Sequence, residues 1–261
     1  MRYVKLYIHF LRFSFSKAMQ FRVDFFFRVF MDIVFYLVQF LFFNVLYLHT
    51  NTLGGWNLEQ MSIFIAGYIF IDALNMTLFS TNCWWFPFYI NRGDLDYYLT
   101  KPVSSLFFLS LREFAANSFL NLLIAIGLLT YMLQTYSAPL SAGTVVIYVF
   151  LLIVGTFLYH LLHLLFLLSV FWTGSPRGFG DVYFAGVHVL ERPDRIFKGF
   201  TRFVFLYILP FSIMASYPAR FLFNENPIEV LITIGLITTA FFCITLFVWK
   251  RGLKVYSSAS S

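Results

Sequence analysis

The chain has 261 residues, of which 60% are hydrophobic and 11% are charged, and it carries a formal net charge of +6. Soluble domains carry roughly 25% charged residues, so this composition excludes a water-soluble globular fold and an intrinsically disordered chain. The two cysteines, Cys83 and Cys243, lie far apart at or within apolar runs, which argues against a disulfide framework or a cysteine-based metal site. The sequence therefore indicates an integral membrane protein.

The first segment, residues 1–22, places cations at steps of three and four residues. This spacing collects them on one face and predicts an amphipathic helix that lies in the membrane plane. A basic segment that only sets the topology is the alternative interpretation. The segment also lacks the short apolar core and small-residue cleavage site of a signal peptide, so we expect the span that follows to be retained.

Six continuous apolar runs follow, most of them close to the roughly 20 residues that a membrane-crossing helix needs. Continuous runs favour helices, because the strands of a transmembrane barrel alternate between apolar and polar residues. The sequence predicts an all-α integral membrane protein with one transmembrane domain over residues 1–261, six transmembrane helices and both termini in the cytoplasm. The predicted spans lie near residues 25–48, 61–84, 106–132, 144–172, 203–217 and 228–249.

Two prolines, Pro210 and Pro218, interrupt the fifth predicted span, and Arg220 follows soon after. Proline removes a backbone donor and kinks a helix, which is tolerated in lipid only where neighbouring groups satisfy the freed carbonyl. We therefore expect a broken fifth helix, which a short half-buried hairpin could end on the far side of the membrane.

The basic residues define the predicted orientation. With six crossings both termini lie on one side, and every Lys and Arg except Arg220 falls on that side. Cytoplasmic segments carry an excess of Lys and Arg, so the termini and the loops over residues 86–102 and 173–202 are predicted to be cytoplasmic. The net charge is then a topology signal, and no nucleic-acid partner is expected. The second loop is too short for a catalytic domain, because independent domains need at least about 50 residues.

The loop over residues 86–102 combines charges with aromatic residues in a short stretch. Asp94 and Asp96 could sit at the positive end of a short helix that starts after Gly93. A solvated turn is the alternative, but exposed apolar clusters usually mark a contact. The residues that such a helix would offer to another surface are Leu95, Tyr98 and Leu99.

Two pairs of polar residues lie inside predicted spans. Asp72 and Asn75 share one face of the second span, where an ionised carboxylate costs about 2.5–3.5 kcal/mol and must face protein or a water-filled path. Both a hydrogen bond between helices and a substrate contact fit them. His160 and His163 share a face of the fourth span, and we prefer packing or polar lining to metal binding, because further ligands are missing there.

Three stretches resemble a known family. The run from Arg92 to Pro102, RGDLDYYLTKP, is similar to a Gly-x-Leu-Asp-x-x-Leu-x-Lys-Pro pattern. Arg192-Pro193 followed by Ile196 and Gly199 is similar to a second pattern, and the ending after Gly252 resembles a short Ser/Ala tail. With the six spans and the amphipathic first helix, these stretches resemble the permease subunits of ABC-2 type exporters, in a less-characterised branch of that family.

The resemblance implies roles for several segments. Residues 1–22 would be the elbow helix, and the loop after the second span would be the coupling helix that docks on a cytoplasmic ATPase subunit. A second copy of the chain, or a related permease, would complete the pathway among the lipids of the bacterial inner membrane. The short helices that some members carry between the last two spans are expected to be reduced here. The coupling residues implied are Arg92, Gly93, Asp94, Leu95, Asp96, Tyr98, Leu99, Lys101 and Pro102.

The chain contains no Gly-x-x-x-x-Gly-Lys-Ser/Thr phosphate loop, and no soluble region that could hold an ATPase domain. We therefore expect a permease that is not itself an enzyme and holds no cofactor, with ATP and Mg²⁺ bound by the partner subunit. A stand-alone secondary transporter or channel is the alternative, although no internal repeat favours it. An intramembrane enzyme that uses Asp72 with His160 or His163 is a third hypothesis.

Overall fold

The computed structural model describes residues 2–18, 22–175 and 177–257 of the chain. Within these ranges the chain forms helices and turns and no strand, which confirms the predicted all-α class. The helices are α1 (Arg2–Ala18), α2 (Arg22–Tyr47), α3 (Leu58–Asn91), α4 (Leu95–Leu99), α5 (Ser105–Leu111), α6 (Ala116–Gln134), α7 (Ala142–Thr173), α8 (Arg177–Leu190), α9 (Gly199–Ile208), α10 (Phe211–Leu222) and α11 (Pro227–Val255).

Four of the described helices, α2, α3, α7 and α11, are long and apolar enough to cross a membrane. The pair α9 and α10, bent by 91° at its break, would add a fifth crossing if it formed one span. The chain is therefore a multi-pass helical membrane protein. Helix α6 is apolar but shorter, so the count of six crossings stays a prediction.

Helix α3 defines the two ends of the molecule. A capping box fixes its first turn: Asn57 Oδ1 accepts from the Gln60 N–H at 2.9 Å, and Gln60 Oε1 accepts from the Asn57 N–H at 3.1 Å. A π-helical turn at Met76–Ser80 widens the helix without ending it. At 1.5 Å per residue, its 34 residues span about 50 Å, so the Leu58 end and the Asn91 end of the molecule are far apart.

The helices at both ends of the described chain contact the Asn91 end. Phe10 of α1 packs edge-on against Phe108 of α5, with ring centroids 5.1 Å apart. After α11, the ring of Tyr256 lies 6.2 Å from Phe171, near the end of α7. The location of this end in the cytoplasm stays a prediction.

The span predicted over residues 106–132 is divided into α5 and α6, so the prediction of one continuous helix is wrong. Asn82 of α3 donates to the Glu113 carbonyl at 2.8 Å and accepts from the Glu113 N–H at 2.8 Å. The Ala115 N–H donates to the Thr77 carbonyl, in the π-helical turn of α3, at 3.0 Å. A break inside an apolar run is stable where such partners satisfy the backbone, and hydropathy does not reveal them.

The prediction of a cytoplasmic loop over residues 173–202 is also wrong. The segment begins at the Asn91 end, because Asn91 donates to a backbone carbonyl just after α7 at 2.9 Å. Helix α8 then runs back along α7 and α10. At the Leu58 end, Arg195 forms an ion pair of 2.5 Å with Glu225, which also accepts from the Trp56 indole N–H at 3.0 Å. Helix α8 is only 14 residues long. Hydropathy along the sequence therefore does not identify it as a membrane span, which needs about 20 residues.

The bent pair α9 and α10 forms a re-entrant hairpin at the Leu58 end. The buried carboxylate of Asp194 lies 2.8 Å from Arg202, in the first half of the pair, and 3.7 Å from Arg220, near its end. Because one carboxylate contacts both halves, the hairpin enters and leaves at the same end, and α8 connects the two ends instead. The predicted break at Pro210 is confirmed by the bend between α9 and α10, but the fifth span predicted over residues 203–217 is misplaced because the two halves do not form one crossing. The expectation of reduced helices before the last span is wrong for the same reason.

This arrangement changes the predicted charge distribution. Several cations that the sequence placed beside the termini lie at the opposite, Leu58 end, where carboxylates neutralise part of their charge. They are Arg192, Arg195, Lys198 and Arg202. The remaining basic residues still favour the Asn91 end as the cytoplasmic one.

The hairpin is held in the core by close backbone packing. A Cβ atom at Gly155 of α7 would overlap the Met214 carbonyl of α10, so only glycine permits this approach. At Gly186 of α8, a Cβ atom would overlap the ring of Phe211. Every residue of α10 is consequently buried.

Candidate coupling site and buried polar residues

Residues 92–102 form a turn, the short helix α4 and a second turn at the Asn91 end. Arg92 follows α3 directly, and Gly93 has a φ of 81°, a left-handed conformation that glycine adopts without strain. Asp94 precedes α4 and Asp96 lies in its first turn, where the helix dipole favours negative charge. The short helix predicted after Gly93 is therefore present.

Helix α4 presents a different face from the one predicted. Leu95 is completely buried and Tyr98 is 5% exposed, whereas Leu99 is 40% exposed and Tyr97 is 61% exposed. The prediction that Leu95 and Tyr98 are offered to a partner is wrong, because these two side chains anchor the helix. Tyr97 and Leu99 form the outward apolar surface.

An apolar cluster beneath α4, which we call the seat cluster, fixes its position. It joins Leu95 and Tyr98 to the ends of α3, α5, α7 and α11. Close-packed apolar groups resist gradual deformation, so we expect a displacement of α4 to shift the ends of the other four helices. The other buried members of the seat cluster are Cys83, Phe86, Ile90, Leu109, Leu164, Leu167, Leu168, Val170 and Trp249.

Arg112, which follows α5, forms hydrogen bonds with two tyrosine hydroxyl groups at the seat cluster. Its guanidinium donates to the hydroxyl of Tyr98 and, at 3.3 Å, to that of Tyr89. The rings of Tyr89 and Tyr98 meet edge-on at 5.2 Å. The sequence predicted for Arg112 only a contribution to the membrane orientation. Its contact with the two tyrosines was not predicted, because the separation of these residues follows no helical or strand period.

The outward surface of residues 92–102 mixes charges of both signs with an aromatic ring. The Nζ of Lys101 lies 3.9 Å from the ring centroid of Tyr97, a cation–π contact. Arg92, Asp94 and Pro102 are exposed beside it. Protein contact surfaces are enriched in aromatic residues and arginine, so this surface is suited to a protein partner.

The C-terminal end of α11 packs beside the same segment. Gly252 lies so close to Phe171 that a Cβ atom would overlap the ring. Partial burial and the negative charge of Asp96 raise the pKa of Tyr256, whose ring also contacts Phe171. The family-like tail is described only as far as residue 257, and its last residues lie outside the described ranges.

Asp72 and Asn75 lie in the middle of α3 and are 8% and 5% exposed, so they face protein. Asn75 Oδ1 and the Tyr36 hydroxyl of α2 are buried without a hydrogen-bond partner among the described residues. Nearby, Asn121 of α6 donates to Asp32 of α2. The structure thus concentrates polar groups of α2, α3 and α6 in the interior, and both interpretations of Asp72 stay predictions.

His160 and His163 of α7 each stack on an aromatic ring. The ring centroids of His160 and Phe79 are 4.1 Å apart, with 15° between the ring planes. Those of His163 and Tyr183 are also 4.1 Å apart, with 9° between the planes. His160 Nδ1 is 3.7 Å from Cys83 Sγ. In the described part of the chain no group of three or more His, Cys, Asp or Glu could hold a metal ion. Two stacked rings support the packing interpretation.

Long apolar helices around buried polar groups, with a firmly anchored helix exposed at one end, define a multi-pass helical membrane protein. The chain matches the family model described as "ABC-2 family transporter protein" over residues 33–260. It therefore belongs to the ABC-2 transporter family, as the resemblance implied. Searches of curated proteins and of solved structures returned no match.

Proposed function

We propose that this chain is the permease subunit of an ABC-2 type exporter and forms its translocation path. Membership of the family supports the proposal. The observation that carries it is the arrangement of α4, with Tyr97 and Leu99 exposed and Leu95 and Tyr98 buried in the seat cluster. A partner that displaces the exposed face also displaces the ends of α3, α5, α7 and α11.

The energy in this proposal comes from a separate ABC ATPase subunit in the cytoplasm. The ATPase binds ATP and Mg²⁺ and docks on residues 92–102, while the permease catalyses no reaction and holds no cofactor. Coupling needs an element with two arrangements that ATP binding and the transport path both bias. The seat cluster fits that role, because it connects the docking surface with the long helices.

The path is completed by a second copy of the chain or by a related permease in the bacterial inner membrane, with both termini cytoplasmic. Large exposed apolar side chains on α2 and α11 support contact with lipid or with a second subunit. Leu41 is 63% exposed on α2 and Leu236 is 67% exposed on α11. Such surfaces are stable only when lipid or protein covers them.

The test reconstitutes the permease with its ATPase in vesicles and measures ATP hydrolysis and transport together. We expect Tyr97→Ser to lower ATPase binding, or transport per ATP hydrolysed, by about tenfold, which corresponds to about 1.4 kcal/mol at a contact surface. Tyr131→Ser is the matched control, because Tyr131 is also 61% exposed but lies on α6. It should leave both quantities unchanged.

Two results would contradict the proposal. One is a Tyr97→Ser variant with wild-type ATPase binding and wild-type coupling. The other is isolation of the active chain without any ATPase, with transport driven by an ion gradient, which is the outcome that a stand-alone secondary transporter or channel requires.

A further inference from the structure

Exposed cations and exposed apolar side chains occur together along residues 192–208 at the Leu58 end. The cations lie between α8 and the middle of α9, and the apolar residues lie on α9. At least partly exposed cations are Arg192, Arg195, Lys198 and Arg202. The exposed aromatic and aliphatic residues of α9 are Phe200, Phe203, Tyr207 and Ile208.

Among the residues that the structure describes, acidic side chains pair with only two of these cations. Arg195 pairs with Glu225 at 2.5 Å, and Arg202 pairs with the buried Asp194 at 2.8 Å. Both carboxylates are also in contact with the guanidinium of Arg220. They are therefore shared by several arginines and leave excess positive charge at the surface.

Arg192 and Lys198 carry that excess charge. Both side chains are exposed, and neither forms a hydrogen bond or ion pair with the residues that the structure describes. The nearest acidic residue in sequence to Arg192, Glu191, accepts instead from Gln39 at 3.1 Å and from the Tyr68 hydroxyl at 3.3 Å. The two cations are thus available to an anion from outside the chain.

The exposed apolar residues of α9 form one face. Phe200 is 76% exposed, Phe203 is 50% exposed and Tyr207 is 48% exposed, and their spacing of three and four residues places them side by side on a helix. A short helix with an apolar face beside cations is typical of the boundary between headgroups and acyl chains.

We propose that residues 192–208 bind the headgroup phosphate of an anionic phospholipid. Arg192 and Lys198 contact the phosphate, and Phe200, Phe203 and Tyr207 cover the adjoining part of the acyl chains. A soluble anion would satisfy the cations but leave the apolar face uncovered. A second copy of the chain packed on this face would bring like charges together. An anionic lipid satisfies both surfaces, and this site does not depend on the ATPase.

The test titrates the purified full chain in phosphatidylcholine nanodiscs with phosphatidylglycerol and counts retained lipids by native mass spectrometry. A cation near a lipid surface contributes about 1 kcal/mol, or about fivefold in affinity. We expect Arg192→Gln with Lys198→Gln to weaken one phosphatidylglycerol site by about 25-fold. The charge-preserving control, Arg192→Lys with Lys198→Arg, should keep it.

Phe200→Ser with Phe203→Ser should weaken the same site, and inorganic phosphate should fail to compete for it. An unchanged melting temperature in pure phosphatidylcholine shows that the variants are folded. The proposal is overturned if the Gln variant binds phosphatidylglycerol within twofold of the wild type, if inorganic phosphate displaces the lipid, or if the Gln variant changes only the oligomeric state.

Discussion

Asn82 and Glu113 are joined by two hydrogen bonds of 2.8 Å, in which the Asn82 amide both donates to and accepts from the Glu113 backbone. The pair bridges α3 and the break between α5 and α6. A side-chain amide thereby supplies the donor and the acceptor that a continuous helix would have supplied, and buried backbone groups require such partners.

Replacing Asn82 with Ala leaves the Glu113 N–H and carbonyl without these partners. We expect the free energy of unfolding to fall by about 1–3 kcal/mol, the usual cost of unsatisfied buried polar groups. Chemical denaturation in detergent micelles measures it. Asn51→Ala, in the exposed loop before α3, is the control and should change stability by less than 0.5 kcal/mol. Equal effects of the two substitutions would refute the structural role of the pair.

Replacing Arg112 with Gln removes the charged donor to Tyr98 and Tyr89. Hydrogen bonds to charged groups contribute about 1.5–3 kcal/mol, so local opening of α4 should increase by about tenfold or more. Hydrogen exchange over residues 95–99 measures this opening. Arg251→Gln is the control, because the Arg251 guanidinium lies 5.1 Å from the ring centroid of Phe247 on the exposed side of α11. Unchanged exchange in the Arg112 variant would show that Arg112 does not hold α4 in the seat cluster.

A methyl group at Gly252 would overlap the Phe171 ring, whereas at Gly235 of the same helix it meets no described atom within 4 Å. We expect Gly252→Ala to lower the free energy of unfolding by about 1–3 kcal/mol, the cost of overpacking. Gly235→Ala should be neutral or slightly stabilising. Phe171→Ala combined with Gly252→Ala should show a favourable interaction energy in a double-mutant cycle. Additive effects would mean that the two residues are not in contact.

Asp194→Asn removes the carboxylate that holds both halves of the re-entrant hairpin. Removing one partner of a buried ion pair costs about 3–5 kcal/mol. The guanidinium of Arg220 would keep its contact of 3.5 Å with Glu225 and its position 4.8 Å from the Tyr217 ring centroid, but it would lose the buried carboxylate. We expect unfolding experiments to show a decrease of this size in the free energy of unfolding. Hydrogen exchange in α9 and α10 should also be faster. The control is Asp181→Asn, at an exposed position on α8. A variant as stable as the wild type would show that the hairpin does not depend on this carboxylate.

His163→Phe separates the packing and metal interpretations of the two histidines. A planar ring of similar size should keep the stack on Tyr183. The free energy of unfolding should therefore fall by less than about 1.5 kcal/mol. A chelator should leave the melting temperature of the wild type unchanged. If the chelator destabilised the wild type and not the variant, a metal would have to be present at this position.

The coupling segment shows how far local reasoning extends. Gly93 and the aspartates after it predicted a short helix correctly, because turn conformation and the helix dipole depend on neighbouring residues. The outward face was predicted incorrectly. Leu95 and Tyr98 are buried partly by α7 and α11, which are remote in sequence. Arg112 lies only 14 residues from Tyr98, but this separation follows no helical or strand period.

The sequence by itself determined the membrane class, the all-helical fold and the position of the long helices, because twenty consecutive apolar residues are a local property that only a membrane or a core accommodates. The tertiary structure alone decided which end of the molecule holds residues 191–202. That placement depends on the contact of Asp194 with Arg220 and of Arg195 with Glu225. Such pairs join residues far apart in the chain, and a charge counted along the sequence does not show whether a buried partner neutralises it.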